Sequence, residues 1–135
     1  MCSSDLLLAA AWLKRLGLDL SGLTVRPLTP AELPSAPGQG ALLAEARADR
    51  PDLIEALSEI HDPMTARCVT LERLVLAGIG GGCQQPLGAL ATPQADGTLL
   101  LQAAYAPEGE LRRAEARGTD DRELLARVLK GIGLS

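Results

Sequence analysis

Apolar residues recur at intervals of three and four from Met64 through Cys68, Leu71 and Val75 to Ile79, and that spacing predicts a helix with one buried face. Asp62-Pro63 opens it, an acidic N-cap followed by proline at the first helical position, where the missing N–H is not needed. A shorter helix is predicted over 51–60, and a last one from about Asp120 to Lys130 carries Leu124, Leu125, Val128 and Leu129 on its apolar side before Gly131. Between the helices the pattern changes. PLGALATP, DGTLLLQAAYAPEGE and LRRAEARG read as three strands in a meander, with turns at Asp96-Gly97 and Pro107-Glu108-Gly109. The predicted class is α+β, a small antiparallel three-stranded sheet with helices on one face.

The first third of the chain is less regular. Leu6 to Leu16 reads as a helix, rich in Ala and Leu and ending in Lys14 and Arg15 before Gly17, but it has no N-cap. Thr24 to Thr29 has the extended character of a short strand, and TPAELPSAPGQG is a connection heavy in proline and glycine. Ala41 to Ala48 follows as a strand, although its Ala and Leu content suits a helix equally.

Composition narrows the function classes. With 135 residues, 47% hydrophobic and 22% charged, the chain fits one folded domain, or a small domain plus a piece of another. A formal charge of -4, one Trp, one Tyr and no Phe supply neither a basic surface nor stacking platforms, which argues against nucleic acid. The apolar run Leu6 to Leu13 falls far short of the roughly 20 residues that span a bilayer, and MCSSD has an acid where a signal peptide carries basic residues. Cys2, Cys68 and Cys83 form no CxxC pair and no metal-ligand spacing with His61. These features predict a cytoplasmic protein with no membrane partner and no metal site.

The candidate chemistry lies in GGGCQQP, residues 80–86. An unpaired cysteine is by default a small buried hydrophobe, and Cys68 in the helical run TARCVTLERL fits that reading. Three glycines before Cys83 point the other way, toward a displayed thiol that something approaches closely. A glycine cluster that merely ends a helix looks the same, so both readings stand.

PSAPGQGALLAEARA, HDPMTARCVTLERL and GGGCQQPLGA, in that order and with those separations, resemble hydroxymethylbilane synthase, also called porphobilinogen deaminase. The likeness extends over about Leu7 to Gly118. It implies that Cys83 is the covalent attachment point, through a thioether, of a dipyrromethane cofactor, with Gly81 and Gly82 giving the two rings room beside the backbone. It also implies the reaction: four porphobilinogen molecules, the small-molecule substrate, are joined with loss of ammonia into linear hydroxymethylbilane in heme biosynthesis. The full-length enzyme is then a monomer. Gln39 in PGQGA is either a cofactor contact, as the resemblance suggests, or part of a tight turn. Arg73 reads as a solvated helix residue, His61 as structural, and Arg112 and Arg113 as a charged sheet edge that discourages strand pairing.

By the same resemblance, residues 1–20 are a remnant of a second domain, 21–48 a segment returning through a first domain, and 49–135 the cofactor-attachment domain. The family's catalytic aspartate and most carboxylate-binding arginines lie in a long N-terminal region without counterpart here, so no catalytic residue is assigned and the chain is expected to be an inactive fragment. MCSSDL has no family counterpart, and CSSDL is what TGC TCT TCC GAT CT, a common sequencing-adapter string, encodes; residues 1–5 are read as artefactual. The shorter ending at KGIGLS predicts incomplete packing of the last helix. The competing readings are a non-catalytic pyrrole-binding or protein-interaction domain, and a thiol redox protein, which the lack of a resolving cysteine disfavours.

Overall fold

The computed structural model describes residues 6–82 and 84–134. Its elements are α1 (Ala10–Leu16), α2 (Pro51–Ser58), α3 (Pro63–Gly78), β1 (Leu87–Pro93), β2 (Leu99–Tyr105), β3 (Arg112–Gly118) and α4 (Asp121–Gly131). The strands form one antiparallel sheet in the order β1-β2-β3, with Ala89 opposite Ala103 and Leu101 opposite Ala116. Alternation sends Leu87, Ala89, Ala91, Leu99, Leu101, Ala103 and Ala116 to one face. There α3 covers β1 and α4 covers β3, and Cys68, Leu71, Val75, Leu124 and Val128 complete the core. The predicted meander and the helices on one face are both present. Of the predicted α3 face, Cys68, Leu71 and Val75 are buried, Ile79 is partly so, and Met64 in the first turn is exposed.

Both core helices are closed at each end by their own sequence. Asp62 Oδ1 accepts from the Thr65 N–H at 2.6 Å, and Asp120 Oδ1 accepts from the Glu123 N–H at 2.9 Å, each satisfying one of the free donors of a first turn. At the other ends the same motif appears twice. Gly80 N–H donates to Ala77 O and Gly81 N–H to Leu76 O; Gly133 N–H donates to Lys130 O and Leu134 N–H to Leu129 O. This second cap corrects the expectation of incomplete packing after α4: it folds the tail back, so that Ile132 is 0% exposed and Leu134 packs against the core.

The expected strands at Thr24–Thr29 and Ala41–Ala48 do not form; neither segment has regular structure. A strand needs a partner edge, and these segments lie beside none, so that Leu42 is 100% exposed. The first helix starts at Ala10 rather than Leu6, in keeping with its lack of a capping side chain. Neither α1 nor α2 packs against another element among the described residues.

What attaches this first part to the sheet is the stretch 31–38. Arg113, in β3, donates from Nη1 to Ala31 O at 2.6 Å and from Nη2 to Glu32 O at 2.7 Å. Ser35 O accepts from the Ala89 N–H at 2.8 Å, on the outer edge of β1. Pro34 is buried between these contacts, and its carbonyl crosses so close to Gly88 that a Cβ there would lie 2.3 Å from the oxygen. Gly88 is therefore a packing requirement. The charged-edge expectation for Arg113 gives way to a specific role, a guanidinium fork on two carbonyls, while Arg112 pairs with Glu110 at 2.9 Å.

Gly88→Ala should destabilise the chain by about 1–3 kcal/mol, the usual penalty of overpacking, measured by urea unfolding; an unchanged midpoint would show that Pro34 does not cross there. A pH effect follows from the caps. The Asp62 carboxyl is held below its ordinary value chiefly by the Thr65 backbone N–H, and that of Asp96 chiefly by the Thr98 hydroxyl. Depressed folded-state values stabilise above the unfolded value, so this contribution should be fully present at neutral pH and lost as pH falls below about 4. Thermal melts of the wild type and Asp62→Asn across that range should converge at low pH.

Candidate functional site

The glycine loop leaves α3 and enters β1. Gly80 and Gly81 take positive φ, 87° and 48°, and make the two bonds that end α3. They are thus the helix-ending glycines of the simpler reading. Gly82 has another character: a Cβ built there meets nothing within 4 Å, and its carbonyl accepts from the Gln85 N–H at 3.1 Å, closing a turn. Cys83, assigned from the sequence as the attachment point, lies outside the described residues. Its neighbours on both sides belong to a short, open turn between two well-packed elements.

A second constellation surrounds Glu72, which no reading of the sequence singled out. Glu72 is only 4% exposed, yet both carboxylate oxygens have donors. Oε1 accepts from the Ala91 N–H at 2.9 Å and Oε2 from the Gly38 N–H at 2.7 Å. An α3 side chain thereby fills a vacancy on the outer edge of β1 and holds the PGQG turn. Charge-assisted bonds of this kind are about twice as strong as neutral ones, and they offset the burial of the carboxylate. A signal was available in the sequence. Position 72 falls four residues after Cys68 and three before Val75, on the buried side of α3, where an unpaired Glu has no place.

Between the PGQG turn and the first half of α3 lies a cleft of about 250 Å³, bordered by Gly38, Gln39, Ala41, Met64, Val69 and Pro93. Cys68 reaches its floor, 7% exposed. Burial, and secondarily the Glu72 carboxylate, push its thiol above the ordinary value, which makes it a poor nucleophile. The sequence reading of Cys68 as a core residue holds.

The remaining sequence candidates separate. Gln39 turns its Oε1 back to accept from the Ala36 N–H at 3.1 Å, so its side chain closes its own turn. Through Glu72, that turn is tied to Ala91, four residues along β1 from Leu87, about 13 Å at the rise of a strand. The structure does not bring Gln39 beside Gly81 and Gly82. Arg73 is exposed on α3 near Gly38, and His61 is exposed ahead of the Asp62 cap. Among the described residues no cluster of His, Cys, Asp and Glu is suited to a metal ion, and no helix is long and apolar enough to cross a membrane.

The family model described as "Porphobilinogen deaminase, C-terminal domain" matches residues 66–130, from α3 through the sheet into α4. Relatives named porphobilinogen deaminase include those of Chromobacterium violaceum (47% identical, over 86% of this chain and 37% of the relative) and Roseiflexus sp. strain RS-1 (43%, over 84% and 37%). A third, from Staphylococcus saprophyticus, is 40% identical over 93% of this chain and 41% of its own length. The chain belongs to the porphobilinogen deaminase family. It spans little more than a third of the length of these porphobilinogen deaminases, and its small sheet with covering helices fits the family's C-terminal domain.

Glu72→Ala should strand the Ala91 and Gly38 N–H groups and cost about 2–4 kcal/mol, from roughly 1–3 kcal/mol per unsatisfied buried donor. Urea denaturation measures it; a loss under 0.5 kcal/mol would mean the carboxylate bridge carries little.

Proposed function

We propose that this chain is the cofactor-carrying portion of a hydroxymethylbilane synthase, a transferase that joins four porphobilinogen molecules, with loss of ammonia, into linear hydroxymethylbilane for heme biosynthesis. The observation that carries this is the match of residues 66–130 to the family's C-terminal domain, with the glycine loop falling inside it. The open space around Gly82 and the exposure of Gln84 fit a bulky group at position 83. In this reading Cys83 gives up its thiol proton and its sulfur forms the thioether to dipyrromethane. The cofactor supplies a primer pyrrole on which the product grows.

The chain's own residues have supporting tasks. Gly80 and Gly81 fix the point at which α3 stops, the Gly82–Gln85 turn fixes the direction in which the loop leaves, and β1 anchors its far side. The proton donor for the departing amine belongs, by resemblance, to a region that the match does not include. The chain alone is therefore proposed to be inactive, with turnover requiring the remaining part of the enzyme, in the cytoplasm and as a monomer.

One observation favours a second reading, a protein-interaction role without catalysis. Leu7, Leu8, Leu16 and Trp12 (69% exposed) form an apolar surface on and before α1 that packs on nothing.

Chain produced in a cell that also makes a complete enzyme should carry the added mass of dipyrromethane and give the aldehyde colour of pyrroles, and Cys83→Ser should lose both. An unmodified wild-type mass, or an adduct that survives Cys83→Ser, would refute the assignment. Purified chain incubated with porphobilinogen should form no linear tetrapyrrole.

A further inference from the structure

We propose that residues 37–41 form a flap, hinged at 34–36 and latched to α3 by Glu72, that closes the cleft leading to Cys68. The inference concerns the PGQG turn itself and does not depend on whether a pyrrole is carried at position 83. The two ends of the segment are held very differently. At the hinge, Pro34 is buried against Gly88, Ser35 O pairs with the Ala89 N–H, and Arg113 grips the two carbonyls just before. Beyond the hinge the contacts thin out. A Cβ on Gly38 would reach only ordinary van der Waals distance from Val69 and Arg73, Gly40 has open space around it, and Leu42 is free. Below the flap is the cleft, not packed side chains.

The latch is thus one charge-assisted bond, Gly38 N–H to Glu72 Oε2 at 2.7 Å. The other oxygen stays on Ala91, deep in the fold, so the carboxylate keeps its place when the flap lifts. Gly38 and Gly40 have positive φ, 73° and 85°, which confines each to a conformation that side chains rarely adopt and makes the turn a preformed unit. Opening would hydrate Cys68, whose thiol burial now holds above its ordinary value. The rate at which that thiol is alkylated therefore reports the flap.

The substitution that isolates the latch is Glu72→Gln. Its amide oxygen can still accept from the buried Ala91 N–H, but its NH₂ then faces the Gly38 N–H, donor against donor. The 135-residue chain is treated with iodoacetamide and Cys68 alkylation is followed by peptide mass, with Val128→Ala as a control that weakens the core away from the latch. Glu72→Gln should speed Cys68 alkylation roughly tenfold or more, from the loss of one charged hydrogen bond. Amide exchange should rise at Gly38 and stay slow at Ala89 and Leu101. An unchanged alkylation rate overturns the proposal, as does a rise matched by Val128→Ala at equal global stability. If Glu72→Gln fails to fold, the wild type decides: Gly38 exchange and Cys68 alkylation must outpace exchange at Leu101, and equal protection of all three rejects the flap.

Discussion

The arrangement of this chain depends on a single buried carboxylate placed between two backbone donors. The outer edge of β1 presents N–H groups that no strand takes up, and an open edge invites pairing with other chains. Ser35 O answers the one at Ala89 and Glu72 the one at Ala91, so the edge is closed by a passing segment and a helix side chain. Because the second oxygen of Glu72 holds Gly38, the same group that finishes the sheet also positions the turn. Local satisfaction of a sheet edge and long-range placement of the PGQG segment are therefore one interaction.

Much of the sheet-and-helix unit could be read from the sequence because its determinants are local. Asp62-Pro63 and Asp120 cap helices within three residues, Asp96-Gly97 turns a hairpin by itself, and the spacing of Cys68, Leu71 and Val75 needs only the helical period. What could not be read depends on tertiary partners. Thr24–Thr29 and Ala41–Ala48 have strand-like composition but no edge to join, and the burial of Ile132 needs the second glycine cap to fold the tail back. Arg113 looked like a solvated edge charge because nothing within ten residues of it shows that Ala31 and Glu32 lie opposite.

The candidate site was legible to a different degree. GGGCQQP drew attention as one element, yet its glycines divide the work: Gly80 and Gly81 end α3, and only Gly82 stands beside open space. Gln39 and the glycine loop both belong to the family resemblance, but they sit at opposite ends of β1 with Glu72 as the connection at one of them. Glu72 itself went unnoticed because a lone Glu in a helix is usually solvated. The unusual feature was its phase in the apolar pattern, not its type.

Direct detection of hydrogen bonds by NMR tests the bridge most sharply. In uniformly ¹³C,¹⁵N-labelled chain, couplings across hydrogen bonds should connect the Glu72 side-chain carboxyl carbon to the backbone nitrogens of both Gly38 and Ala91, alongside the Ala89-to-Ser35 coupling as an internal reference. Detection of the reference with neither Glu72 correlation, or with the carboxylate coupled to only one of the two nitrogens, would contradict the account.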